Sequence, residues 1–226
     1  MRSTLEVSAD LSFVKGSGYK GKEVFNMIGA TVLILVTLPL MLGAGIAVRI
    51  TSPGPVLFRQ QREGAGGEIF TALKFRTLHV GTEKELDVVT ADDSRQTRVG
   101  RFLRKTCIDE LPQFFNVLRG EMDLVGHRPD TPAIAAKRLA LDPRYAIIGQ
   151  RKPGMAGLVV LIGKREELEI ANPAFNAMDL ELKYLEEESF FLDLKIFALT
   201  LWKVFRAIVR SIVHAVFVKQ QRPQAV

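Results

Sequence analysis

Asp109 and Glu110 stand side by side within residues 101–129, which read RFLRKTCIDELPQFFNVLRGEMDLVGHRP. Adjacent carboxylates suit phosphoryl transfer. One can attack phosphorus as a carboxylate nucleophile, and the other can offer oxygen to a hard divalent cation such as Mg²⁺. Arg101, Arg104 and Lys105 precede the pair, and His127 and Arg128 follow it. Guanidinium groups grip phosphate oxygens in bidentate fashion, so Arg104 and Arg128 are candidate phosphate ligands. Leu111, Phe114, Phe115 and Leu118 recur at i, i+3, i+4 and i+7, predicting a short helix with one apolar face. Asp109 fits its N-cap, Pro112 its first turn and Gly120 its C′ position. The acids then lie at the positive end of a helix dipole, which favours an ionised carboxylate and a neighbouring phosphate. A capping Asp followed by a surface Glu is also an ordinary structural feature, so the pair alone leaves both readings open.

The flanking segments must position this pair. Residues 56–62 and 68–76 read as two strands joined by Gly64-Ala65-Gly66-Gly67, and alternation sends Lys74 and Arg76 to one face as further phosphate ligands. The glycine cluster is turn chemistry, since no Gly-Lys-Ser/Thr follows at phosphate-loop spacing. Residues 79–97 are polar and lack apolar periodicity, which predicts a mobile loop over the site. Asp92 or Asp93 there is a solvated carboxylate or a metal ligand. Residues 131–141 have helical period, Lys152-Pro153-Gly154 is a turn, and 158–162 is a short apolar run, strand-like or buried. The single cysteine, Cys107, excludes an internal disulfide and reads as a small apolar filler beside the acids. His79, His127 and His214 have no metal-triad spacing.

Residues 27–48 carry no charge and are long enough to cross a bilayer as a helix. Pro39 falls near the middle and removes a backbone hydrogen bond, while Thr37 can bond a carbonyl thereby freed. Lys15, Lys20 and Lys22 precede the run, and Arg49, Arg59 and Arg62 follow it. Basic flanks on both sides place both ends on the cytoplasmic face. A re-entrant helix–break–helix meets both observations; a kinked single span is the alternative. From Ser189 onward, Phe190, Phe191, Leu194, Phe197, Leu201, Trp202 and Phe205 form an apolar face, opposite Lys203, Arg206, Arg210 and His214. That pattern reads as a basic helix lying in a membrane interface, or else as a core-packed helix or oligomer contact. The net charge of +6 agrees with an anionic membrane surface or phosphorylated substrates. Scattered Lys and Arg with no nucleic-acid motif argue against nucleic acid.

Five motifs occur in order: ITSPGPVLFRQQREG (50–64), LKFRTL (73–78), TRVGRFLRKTCIDELPQFFNVLRGEMDLVGHRP (97–129), KPGMAGL (152–158) and DLKIFALTLWKVF (193–205). Across residues 20–205 the chain resembles the monotopic phosphoglycosyl transferases, bacterial sugar transferases that load a polyprenyl phosphate with a sugar phosphate. The resemblance implies a mostly helical α+β fold. Its parts are an N-terminal interfacial segment (1–24), a proline-broken re-entrant membrane helix (25–50), a compact cytoplasmic catalytic domain with a small β-hairpin (51–189), and a basic amphipathic interfacial helix with tail (190–226). It further implies transfer of a sugar-1-phosphate from a nucleotide diphosphate sugar, expected to be a UDP-sugar, to undecaprenyl phosphate at the cytoplasmic face of a bacterial inner membrane. Asp109 would form a covalent phosphosugar intermediate, Glu110 would serve Mg²⁺, and Arg104 and Arg128 match the arginines of the motif. Two departures stand out. His127 replaces a proline in Gly126-His127-Arg128-Pro129, and Gly157-Leu158-Val159-Val160 lacks the usual aromatic and glutamine. The alternative is a membrane-docked scaffold that binds polyprenyl phosphate or a partner enzyme without catalysis. The sugar, the pathway and whether the chain forms a homo-oligomer are not legible.

Overall fold

A computed structural model of the chain describes residues 18–82, 93–162 and 176–220, the side chains of 212 and 214–220 excepted. Most of the expected N-terminal segment, Lys15, Asp92, the His214 side chain and the last six residues lie outside that description. The described part is mostly helical, with two small two-stranded sheets.

Helix α1 spans Lys22–Thr51, thirty residues and roughly 45 Å at the α-helical rise. It is helical through Pro39 without interruption. Lys22, Asn26, Ala30 and Ile34 are buried at four-residue steps, and Met41, Ala44 and Val48 resume the stripe. Between the two halves Leu35, Val36, Leu38 and Leu40 stand exposed around Pro39. A helix of this length and apolar character is suited to a lipid environment, by length and composition. Thr37 Oγ1 donates to Leu33 O at 2.6 Å. The carbonyl that Pro39 would leave free is that of Leu35. The expected repair by Thr37 is therefore replaced by the ordinary back-bond of a helical threonine to its own i−4 carbonyl.

Both ends of α1 are fastened to the same body. At the start, the Lys22 ammonium reaches Asp193 at 3.2 Å, Asp123 at 3.4 Å and Glu188, and donates to Val125 O and Tyr184 Oη at 3.0 Å. One turn on, Asn26 donates to Asp123 Oδ1 and accepts from Leu124 N. At the other end, the buried Arg76 guanidinium donates to Ser52 O and Pro53 O, both at 2.6 Å.

Strands β1 (Leu57–Glu63) and β2 (Ile69–Phe75) pair antiparallel in the register Leu57↔Phe75 to Glu63↔Ile69. The expected hairpin forms, with a short 3₁₀ turn at Ala65–Gly67 where Gly66 and Gly67 have φ of 66° and 82°. Phe75 packs with Met41, Ala44 and Val48 of α1 and with Leu103 and Ile108, so the far end of β2 is covered on that side too. Helix α2 (Arg98–Lys105) is capped by Thr97, whose Oγ1 accepts from Gly100 N at 2.8 Å. A 3₁₀ helix, Ile108–Gln113, leads into α3 (Phe114–Leu118). Gly120, with φ of 74°, ends α3: Gly120 N donates to Val117 O and Glu121 N to Asn116 O, a Schellman arrangement.

Strand β3 (Asp123–Val125) pairs parallel with β4 (Gly154–Ala156). A Cβ on Gly154 would lie 2.0 Å from Gly126 N, so the close approach of these two backbones requires glycine. Between the strands run α4 (Pro132–Leu141), capped by Thr131, and α5 (Tyr145–Ile148). The apolar run after β4 forms a short helix, α6 (Leu158–Ile162), not a strand. Its last carbonyls have a partner: Lys203 Nζ donates to Val160 O and Leu161 O. Helices α7 (Ala177–Glu187) and α8 (Phe190–Gln220) complete the fold.

The main core unites Ala30 and Ile34 of α1 with Phe70, Ala72, Phe114, Val117, Leu124 and Ile196. Helix α8 enters it through Asp193 and Ile196, which the expected apolar face did not include. Phe191, Trp202 and Phe205 are instead exposed, alongside exposed Lys203, Arg206 and Arg210. Trp202 and Phe205 stack with ring centroids 5.8 Å apart. Aromatic and basic side chains that are both uncovered suit an apolar–aqueous boundary.

Candidate active site

The acidic pair is presented by a turn that the sequence disguises. Cys107 ends α2 in the left-handed conformation, φ 56° and ψ 16°, the only non-glycine residue with positive φ among the described residues. It is exposed, so it is a turn residue and not an apolar filler. An L-residue there costs about 1–2 kcal/mol, which the buried Thr106 hydroxyl, bonded to Phe102 O and Leu103 O, helps to offset. The chain then enters the 3₁₀ helix. Asp109 is accordingly an interior residue of that helix, with Cys107 in the N-cap place expected for Asp109. The tighter winding also shifts the buried side: Ile108, Phe114 and Val117 are covered, while Phe115 and Leu118 of the expected apolar stripe are exposed.

Asp109 is buried and Glu110 is half-buried. Lys74 Nζ lies 2.7 Å from Glu110 Oε1 and Arg128 Nη2 lies 3.5 Å from it. Burial pushes the Asp109 carboxyl up to about 6 and the neighbouring Glu110 charge adds to this, against the pull of Lys74 and Arg104. For Glu110, burial acts in the same upward sense, but Lys74 and Arg128 outweigh it and hold the group down at about 2. One acid is firmly ionised by its cations. The other is more basic, and a more basic carboxylate is a stronger nucleophile once ionised.

Of the proposed phosphate ligands, the fold gathers Lys74 and Arg128 around Glu110, with half-buried Arg104 acting on Asp109 from α2. Arg76 does not join them. It follows the end of β2, and its guanidinium is committed to the Ser52 and Pro53 carbonyls at the exit of α1. Asp93, in the acidic loop, pairs with Arg95 at 2.7 Å, and the two ends of that loop are zipped together by Thr97 N–Thr77 O and His79 N–Arg95 O bonds.

Two members of the site escape a reading of the sequence. Arg62 of β1 lines the same cleft as Lys74, Glu110, Gln113, Arg128 and Met155. Its Nη1 donates to Pro129 O at 2.9 Å, and burial together with Arg128 lowers the guanidinium to about 10. The signal was present in the register: Arg62 stands opposite Phe70, and Phe58 opposite Lys74, so all four share a face. Gln113 is the second. It lies one 3₁₀ turn beyond Glu110 on the same side, and it carries neither charge nor motif signal that would single it out.

The cleft thus sets three cations against the half-buried Glu110 carboxylate, next in the chain to buried Asp109. Three cations of this kind are suited to phosphate oxygens, and a carboxylate beside them is suited to meet the phosphorus those oxygens surround. Among the described residues no cluster of three or more His, Cys, Asp or Glu could hold a metal alone. Magnesium commonly binds through one or two carboxylates plus substrate phosphates, and the partly open Glu110 beside Asp109 fits that donor set. His127 is buried and turned to a second hollow, with Gly157–Val160, Glu181 and Tyr184 around it and Arg128 between the two.

The profile of the family described as "Bacterial sugar transferase" matches residues 18–207. A UDP-glucose:undecaprenyl-phosphate glucose-1-phosphate transferase from Caulobacter vibrioides is 43% identical over 177 residues, covering 77% of this chain and 66% of that protein. A protein of the same name from Escherichia coli is 37% identical over 185 residues, covering 81% and 40%. A Bacillus subtilis protein named "Uncharacterized sugar transferase EpsL" is 36% identical over 189 residues, covering 81% and 86%. The chain spans about two thirds of the first of these relatives and two fifths of the second.

Proposed function

The chain belongs to the bacterial sugar transferase family, and on that premise we propose that it moves a sugar-1-phosphate from a UDP-sugar to undecaprenyl phosphate at a membrane surface. One observation carries the reading: a buried carboxylate, Asp109, adjoins Glu110 and feels Lys74, two residues that line a cleft with Arg62 and Arg128. The names of the relatives from Caulobacter and Escherichia coli supply the two substrates.

In this mechanism an Asp109 carboxylate oxygen attacks the sugar-bearing phosphorus, and the bond from that phosphorus to the bridging oxygen breaks. UMP leaves with the electron pair, and a sugar phosphate remains esterified to Asp109. A phosphate oxygen of undecaprenyl phosphate then attacks the same phosphorus and frees the carboxylate. Lys74, Arg62 and Arg128 hold the phosphate oxygens, and Arg104 steadies Asp109 in its ionised form. Mg²⁺, bound by Glu110 together with phosphate oxygens, would supply further neutralisation of their charge. The test is UMP release by the full chain in detergent with UDP-glucose and other UDP-sugars, undecaprenyl phosphate and Mg²⁺. Product is expected with at least one sugar; no UMP and no lipid-linked sugar with any of them would refute the transferase reading in favour of the scaffold.

The membrane helix is proposed to be re-entrant. Its two ends are held by one body, through Lys22 and Arg76, while the apolar residues around Pro39 are uncovered. Cysteines in place of exposed Lys20 and Pro55, in a Cys107→Ser background, are expected to react with an impermeant maleimide from the cytoplasmic side alone. Labelling from opposite sides would show a span instead.

A further inference from the structure

Gln113 is 4% exposed, and its amide Nε2 has no hydrogen-bond partner among the described residues. Buried polar groups are nearly always paired, so an orphaned amide in the wall of a cleft calls for a ligand. Its position is imposed by the chain. A 3₁₀ helix has three residues per turn, so Glu110 and Gln113 stack one above the other along the same line. One turn further, Asn116 pins the segment to β2: its Nδ2 donates to Thr71 O at 2.7 Å and its Oδ1 accepts from Leu73 N at 3.0 Å. Between these fixed points lies Ala72, the smallest side chain on that face of β2, and both Ala72 and Gln113 line the cleft with Lys74 and Arg128. The short side chain leaves the amide unopposed.

We propose that Gln113 contacts the substrate, its amide N–H donating to a non-bridging oxygen of the sugar-bearing phosphate gathered by Arg62, Lys74 and Arg128. The inference rests on the phosphosugar transfer proposed above. A neutral donor in this place adds a directional hydrogen bond to the cations' pull, fixing one phosphate oxygen relative to Glu110 without altering the charge of the cleft.

Gln113→Met keeps the volume and removes the donor. In the full chain, with whichever UDP-sugar the unmodified protein turns over, kcat/KM for UMP release is expected to fall by about tenfold to a hundredfold, the scale seen when one preorganised donor is lost. The thermal midpoint without ligand is expected to hold or rise, because the apolar side chain removes an unsatisfied amide. Gln113→Glu, which turns the donor into a carboxylate facing phosphate, should lose more activity than the methionine variant. Stabilisation by inorganic pyrophosphate is followed in parallel, and Gln113→Met should need at least about tenfold more of it for the same shift in midpoint. A methionine variant with unchanged kcat/KM, or one whose midpoint falls together with its activity, would overturn the assignment. If the unmodified protein releases no UMP, the transfer reading fails, and an unchanged pyrophosphate response in Gln113→Met then overturns the contact as well.

Discussion

Asp109→Asn is expected to abolish UMP release, by at least about 10⁴-fold, the scale observed when a covalent nucleophile is removed. The substitution preserves shape and replaces a carboxylate by an amide, a far weaker nucleophile toward phosphorus. Labelled sugar phosphate should no longer be trapped on the protein. The fold should not suffer. Asp109 is buried with its carboxyl pushed up to about 6, so the native state already disfavours its charge, and a neutral amide relieves burial and the repulsion from Glu110. Loss of turnover with an unchanged thermal midpoint is therefore the signature. Glu110→Gln should behave differently. It leaves half-buried Lys74 without its 2.7 Å partner, so activity and stability should fall together. Near-normal turnover by Asp109→Asn, with mass spectrometry excluding reversion by deamidation, would remove the nucleophile assignment.

Lys22→Met is expected to lower stability by about 3–5 kcal/mol, the cost of leaving buried charges uncompensated. Lys22 is 3% exposed and is the cation at which Asp123, Glu188 and Asp193 converge from β3, the loop before α8, and α8 itself. Arg151 also reaches Glu188, but the one cation paired with all three carboxylates is gone once Lys22 is replaced. A domain's whole stability is about 5–15 kcal/mol, which makes the loss a large fraction of it. For a chain of this size the apparent thermal midpoint should drop by roughly 10 °C or more. Lys22→Arg, which keeps the charge in a tight site, should fall between the two. A methionine variant within about 1 kcal/mol of the unmodified chain would show that the cluster contributes register without net stability. The consequence reaches beyond stability, because this cluster fastens the first turn of α1. Its loss should also allow the N-terminal cysteine at position 20 to be labelled from the opposite side in a fraction of molecules.

Much of this was legible in the amino-acid sequence because it depends on neighbours along the chain. The uncharged run with Pro39, the hairpin around Gly64–Gly67, the helical period of residues 131–141 and the Gly120 stop are local signals of period, turn chemistry and capping, and local structure obeys them. The acidic pair with Arg104 and Arg128 was marked by residue type and by motif order. Lys74 could be placed on a strand face by alternation alone. What remained hidden is of one kind. Arg76 has the same parity as Lys74, yet its guanidinium is taken by the carbonyls of Ser52 and Pro53 at the exit of α1, partners that chain spacing does not reveal. Arg62 enters the cleft because the hairpin register sets it on the Lys74 face, and Gln113 because it stacks one 3₁₀ turn beyond Glu110. An αL cysteine carries no sequence signature, since the penalty for an L-residue there is offset by tertiary contacts. The sequence by itself determined the long apolar helix, the hairpin and which residues carry charge. Tertiary structure alone decided which of those charges meet, because pairing across elements depends on where burial leaves a polar group without water, and chain spacing carries no record of that.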